Sequence, residues 1–253
     1  MSFEYNLTAI EILKKLGYTK TKDVIIIDNK GKEIVIPSIL REFLSLAINS
    51  SLFSTSDIWV SPYIHFLYDD IEEMIEEEKE YWENNSDDNI ENEYYKFYKL
   101  PKDNWEKIVP NYLLIGSDFA AGIVEFGICI TDLYKNNPPV YINHECDLIS
   151  EWKLFSDSLS SFLMKIFCDV LSCEMYDTAV EVLEDDGWNV DTLSKYELGN
   201  YNIDFDAILK YQSLYDDNAL LSCVYNKDNN MLLIIKFDES GKEILNCIAY
   251  SRE

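Results

Sequence analysis

Catalysis or metal binding in this chain would have to start from two histidines, six cysteines and a wealth of carboxylates. A zinc site or a Ser/His/Asp constellation draws on several positioned His or Cys side chains. His65 and His144 stand in neither an HExxH nor a His-x-x-x-His context. In INHECD (142–147), His144 and Cys146 share one side of a strand, because alternate residues point to opposite faces, and no third ligand accompanies them. Cys129, Cys146, Cys168, Cys173, Cys223 and Cys247 form no CxxC pair. Several sit in apolar runs, where a thiol packs as a small hydrophobe, so reduced core cysteines are expected. Paired carboxylates recur at Asp69-Asp70, Glu72-Glu73, Glu184-Asp185-Asp186 and Asp216-Asp217. A glycosidase needs two carboxyls at a set separation in a cleft, one of them desolvated, and nothing singles out one pair. EDDGWNVD (184–191) resembles a calcium loop, but its glycine falls too early for the EF-hand order of ligands, and a solvated loop is the expectation.

Gly116, Gly122 and Gly127 raise a last chemical question, that of a phosphate loop. Such a loop bunches its glycines at a strand-to-helix turn, so that backbone N–H groups and a helix N-terminus face the anion. Here they are spread through NYLLIGSDFAAGIVEFGICITD (111–132), two inside strand-like runs and one at a turn. Bulges or close backbone contacts are the expected reason for them.

Charge is the outlying property. The 253 residues carry 47 acidic and 21 basic side chains, a formal net charge of −26. By segment the net charges are 0 for residues 1–68, −12 for 69–93, −3 for 94–173 and −11 for 174–253. Such surfaces repel nucleic acid and anionic lipid and attract basic partners. No stretch has the ~18 to 20 uncharged apolar residues of a membrane helix, and MSFEYNLTAIEILKK lacks a basic n-region and an apolar h-region. A cytoplasmic protein is expected, without direct nucleic-acid or membrane binding.

The elements that must position any site read as follows. LTAIEILKKLG (7–17) opens on a capping box, Thr8 with Glu11, with Leu7 and Ile12 placed for a hydrophobic staple and Gly17 as the stop. DVIIID and EIVIP form a hairpin around NKGK. IPSILREFLSLAINSS is a second helix with Pro37 near its start, and SDIWVSPY a short strand. YDDIEEMIEEEKEYWEN is an amphipathic helix, acidic outside, followed by an acidic loop at SDDNIENE. Glutamates three and four apart repel by about a few tenths of a kcal/mol per pair. That cost fits either a plain solvated face or a partner-binding one. Tyr112–Ser117, Gly122–Thr131 and PPVYINH predict an antiparallel meander. FSDSLSSFLMKIFCDVL predicts a helix, with apolar residues at i, i+3, i+4, i+7, i+8, i+11 and i+12 from Leu159. Beyond Cys173 come an acidic helix (TAVEVLEDDG), an aromatic-polar stretch (188–212) and three strands, LLSCVYN, MLLIIKF and EILNCIAY, in a small meander. No flexible linker lies near 173, so the division expected is a core domain over 1–173 with a docked extension over 174–253.

IPSILREFLSLAINSS, YLLIGSD, the glycine at 122, the strand Ile123–Ile130, PPVYINH and FSDSLSSFLMKIF together resemble the SMI1/KNR4 family, or SUKH superfamily. The resemblance covers roughly residues 1–170. Asn49-Ser50 replaces the usual Asn-Gly after the second helix, and that helix lacks the tryptophan many members carry. The resemblance implies an α+β fold with a single antiparallel sheet flanked by helices, no catalytic residues and no cofactor. Many bacterial members are immunity proteins that bind and neutralise a toxin. A basic toxin, such as a nuclease that must hold phosphates, would suit this charge. Glu72, Glu76, Glu77, Glu80, Glu83 and Trp82 are the candidate contacts. A regulatory scaffold of the same fold binding a cellular protein is the alternative, and a carboxylate-based hydrolase seated beyond residue 173 is the third.

Overall fold

A computed structural model describes residues 2–20, 24–27, 31–47, 52, 58–59, 112–118, 124–144, 152–172, 177–214 and 216–252. The protein is α+β with antiparallel sheets. It divides into two compact units, one of residues 1–23, 42–59 and 159–253, the other of 24–41 and 60–158. Residue 173, where the sequence changes texture, falls inside the first of these.

The first unit is built on β11 (Ala219–Asn226), β12 (Met231–Asp238) and β13 (Ile244–Ser251), the predicted C-terminal meander. It is not small. β1 (Phe3–Glu4), β10 (Tyr211–Gln212) and β9 (Asn189–Thr192) extend it to six strands, in the order β1-β11-β12-β13-β9 with β10 also on β11. The strands are apolar at successive positions because both faces are covered, the pattern of a sheet with no solvated side. Register places Cys223, Ile234 and Ile248 on one face and Val224, Leu233 and Ala249 on the other. Against the first face packs α3 (Leu159–Leu171), the predicted apolar helix, with Phe162, Leu163, Ile166, Phe167 and Val170 all buried. Tyr250 donates its hydroxyl to the Leu171 carbonyl at 2.6 Å, tying β13 to the end of α3. The second face is covered by the aromatic-polar stretch, through Leu198, Ile203 and Ile208, with Tyr201, Phe205 and Phe3 at the margin.

Local signals fix the helices around this sheet. α1 (Ala9–Lys15) has the expected capping box, Thr8 and Glu11 bonding reciprocally, and ends at Gly17 with φ +97°. α4 (Asp177–Asp185) ends in the same way. The Gly187 N–H reaches the Glu184 carbonyl at 2.9 Å, the Trp188 N–H reaches Leu183 at 2.8 Å, and Gly187 takes φ +84°. EDDGW is thus a left-handed helix stop leading into β9, rather than a free loop. α5 (Lys195–Leu198) carries a second capping box, Ser194 with Glu197, and drives Leu198 into the core.

In the second unit, β2 (Ile26–Ile27) and β3 (Glu33–Ile34) pair as the expected hairpin. β5 (Tyr112–Asp118), β6 (Val124–Cys129) and β7 (Val140–His144) form the expected meander, with β8 (Lys153–Ser156), absent from the sequence reading, added beside β7. Two glycines earn their places geometrically. The β5–β6 register shifts between Leu114 and Gly116, a bulge. At Gly127 a Cβ would lie 2.9 Å from the Trp152 ring and 3.1 Å from the Tyr112 Cβ. Trp152 stacks on Tyr112 with centroids 4.2 Å apart, so the ring lies flat over the bare backbone of β6. α2 (Ser38–Ala47), divided between the two units at Arg41, starts from Pro37, whose carbonyl accepts the Arg41 N–H at 3.0 Å, and buries Leu40, Phe43 and Leu44. The short strand expected in SDIWVSPY is β4 (Ile58–Trp59), whose residues are assigned to the first unit.

Candidate partner-binding surface

Glu72, Glu76, Glu77, Glu80, Glu83 and Trp82, together with the acidic helix and loop expected to carry them, lie outside the described residues, as do His65, Gly122, Cys146 and Cys173. The structure does describe most of the second acidic region, residues 174–253, and sorts its carboxylates by task.

Several, and with them Asp169 and Glu4 from outside that region, have internal work. Asp169 on α3, 2% exposed, accepts the Ser213 hydroxyl at 2.7 Å and the Leu214 N–H at 3.1 Å, which fixes the chain entering β11. Asp216 takes the Lys236 ammonium at 2.9 Å, and that contact holds its carboxyl below the usual range. Asp238 organises the β12–β13 turn. It accepts the Ser240 hydroxyl at 2.6 Å and the Lys242 and Glu243 N–H groups at 2.9 Å, and these bonds, the Ser240 one foremost, bring its pKa down to about 2. Glu197 is lowered by the Ser194 hydroxyl it caps against. Glu4 on β1 pairs with Lys15 and Lys227, and the Lys15 bond is the main cause of its lowered pKa.

Asp186 accepts the Tyr18 hydroxyl at 2.9 Å and Asp228 the Ser2 N–H at 2.8 Å, whereas other acids face water. Glu181, Glu184 and Asp185 on α4, Asp191 on β9, and Asp217 and Glu239 in loops are all exposed. α4 has no basic residue in its last turn, so Glu184 and Asp185 sit where the helix dipole is already negative, an arrangement unfavourable by roughly 0.3–1 kcal/mol per charge. The lysines and arginine of this region are largely occupied elsewhere. Lys227 and Lys236 are in ion pairs, Lys210 donates to the Phe205 carbonyl and lies 4.9 Å from the Phe237 ring, and Arg252 stands 6.0 Å from the Trp188 ring. At the α4–β9 end the acids outnumber the near cations: Arg252 alone among those just named lies there, its guanidinium beside Gly187 and Trp188. Sequence counting located that excess, and the partners of individual carboxylates, which decide what is left for a ligand, become visible only in the fold.

The histidines, cysteines and depressions of the described residues are placed as follows. Among the described residues no three His, Cys, Asp or Glu side chains come together as a metal cage. His144 ends β7 in an exposed position. Cys168, Cys223 and Cys247 are buried free thiols, and burial raises all three pKa values, that of Cys247 to about 12. They are packing groups, as expected for cysteines in apolar runs. An open depression of about 290 Å³ lies among Glu4, Leu7, Glu11, Lys14 and Lys15, but Lys14 is already paired with Glu42 at 2.7 Å and Lys15 with Glu4. No helix of the described residues is long and apolar enough to cross a membrane. No family model, curated protein or solved structure matches this chain.

Proposed function

We propose that this chain is an immunity protein of SMI1/KNR4 type, which binds a basic toxin domain in the cytoplasm and neutralises it by protein–protein contact, without catalysis and without a cofactor. The observation that carries the reading is the segregated charge. The excess of a −26 chain is concentrated in residues 69–93 and 174–253, and in the second of these the cations are mostly held in internal contacts. Opposite charge raises association rates towards the diffusion limit, which matters for an inhibitor that must reach its target before the target acts. The β5–β6–β7 meander and the helix after it, in the order quoted above, support the family reading.

The test is affinity capture by the tagged chain from its host's lysate, supplemented with recombinant C-terminal domains of that genome's candidate toxins, at low and high salt. Capture of one basic toxin domain, with growth rescue on co-expression, is the expected result. Capture of a resident cellular protein alone would replace the toxin by a regulatory target. Reversal of Glu76, Glu77 and Glu80 to lysine with no loss of toxin capture would remove the helix at 69–83 from the interface.

A further inference from the structure

We propose that the outer edge of β9 is a strand-docking site for a basic, extended segment of the partner, an inference that takes the partner's charge from the reading above. β9 is the last strand on its side of the six-stranded sheet, and among the described residues nothing pairs beyond it. Its register on β13 is Thr192↔Ile248, Asp191↔Ala249, Val190↔Tyr250 and Asn189↔Ser251. The Leu193 N–H donates to the Cys247 carbonyl at 2.8 Å, which makes Leu193 and Cys247 a hydrogen-bonded pair. Such pairs alternate along an antiparallel ladder, so Asp191 and Asn189 also turn their backbone groups to β13. Val190 and Thr192 turn theirs outward. The edge therefore offers two N–H and C=O pairs at the spacing an added strand needs, and Asn189, Asp191 and Thr192 are exposed around them.

The opposite edge is closed by comparison. β1 and β10 both pair with β11 there, and Glu4 of β1 is clamped by Lys15 and Lys227. Natural edges are commonly blunted by lysine, proline or a bulge. β9 has no lysine, proline or bulge; its protection is its four-residue length and the negative charge of Asp191, with Glu184 and Asp185 just before it, which deters an acidic strand and not a basic one. This charge selects the occupant. A second copy of a −26 chain is repelled, whereas a strand with Lys or Arg opposite Asp191 gains a cross-strand pair of opposite charge. Main-chain bonds would supply affinity and the acids would select the basic sequence, as in other cases of strand addition.

The probe is an acetylated, amidated hexapeptide of alternating valine and lysine, titrated at low salt into the full chain while backbone amides are followed by NMR hydrogen exchange. Exchange at Val190 and Thr192 should slow at least tenfold at saturation, with smaller changes at Asn189 and Asp191, which already bond to β13. A peptide of the same charge, N-methylated at alternate backbone nitrogens, should bind at least tenfold more weakly. Asp191→Lys should weaken binding of the parent peptide at least tenfold with an unchanged melting temperature, and D191N serves if D191K melts early. Absence of binding, equal binding by the N-methylated peptide, or protection confined to other amides overturns the site. If a basic toxin domain is captured while Val190 and Thr192 stay unprotected, the immunity reading stands and the partner docks elsewhere. Peptide docking on β9 with no toxin captured keeps the site and removes the toxin.

Discussion

Gly127 and Glu4 show two ways in which one residue sets a local structure. Gly127 is bare because Trp152 lies against it, and a methyl group placed 2.9 Å from that ring must push apart a stack whose other member is Tyr112. Gly127→Ala should therefore cost about 1–3 kcal/mol, the range of overpacking, read as a lowered urea midpoint at unchanged slope. Glu4 acts through charge. Its pKa is depressed by Lys15 and then Lys227, so its contribution is fully present above the unfolded carboxyl value, about 4.3, and is lost as pH falls through the lower folded value. Glu4→Gln should flatten the acid limb of a melting-temperature profile below about pH 4.5 while remaining less stable than the parent at pH 7. A stability deficit that persists undiminished at the lowest pH would assign Glu4 a packing role instead. That Gly127 needed either a bulge or a close neighbour was legible from its place in a strand. The neighbour itself was not, because Trp152 immediately precedes β8, a four-residue strand too short to show a period.

At the scale of elements, legibility followed the strength of local chemistry. α1 was readable from Thr8, Glu11 and Gly17, and α3 from its apolar stripe, because capping bonds and amphipathic spacing are properties of neighbours in sequence. β9, α5 and β10 were not read out of residues 188–212, where mixed aromatic and polar residues give no period. β9 is polar because it is an edge, and Leu198, Ile203 and Ile208 are scattered because they cover a sheet face from an irregular segment. The continuous apolar runs of β11 and β12 did carry the sign that both faces are buried, and the cover they demanded was that segment. Ser194→Ala removes the capping bond to the Glu197 N–H and should cost about 0.5–2 kcal/mol. Hydrogen exchange would locate the loss. Amides of residues 195–203 should lose protection first, and an effect confined to distant strands would mean that α5 does not hold the cover in place.

For the whole molecule, a net charge of −26 works in two directions. Self-repulsion opposes the compact state, and screening shortens its reach from ~10 Å at 0.1 M to ~3 Å at 1 M salt. Added sodium chloride should accordingly raise the melting temperature of the free chain between about 0.05 and 0.5 M while weakening capture of a basic partner. Opposite signs separate the two effects, and a melting temperature that falls with salt would show that internal pairs such as Lys236–Asp216 outweigh the repulsion.

The pairing of Phe3 with Asn226 and of Glu4 with Tyr225 has a consequence in time. A ribosome releases the first strand and α1 long before the strand they belong beside. Throughout that interval Ala9, Ile12 and Leu13, all buried at the end, present an oily face with no partner, and α3, against which α1 settles, emerges only after residue 158. A fragment ending before residue 159 should therefore leave Ala9, Ile12 and Leu13 uncovered, and should bind a hydrophobic dye that the full chain does not.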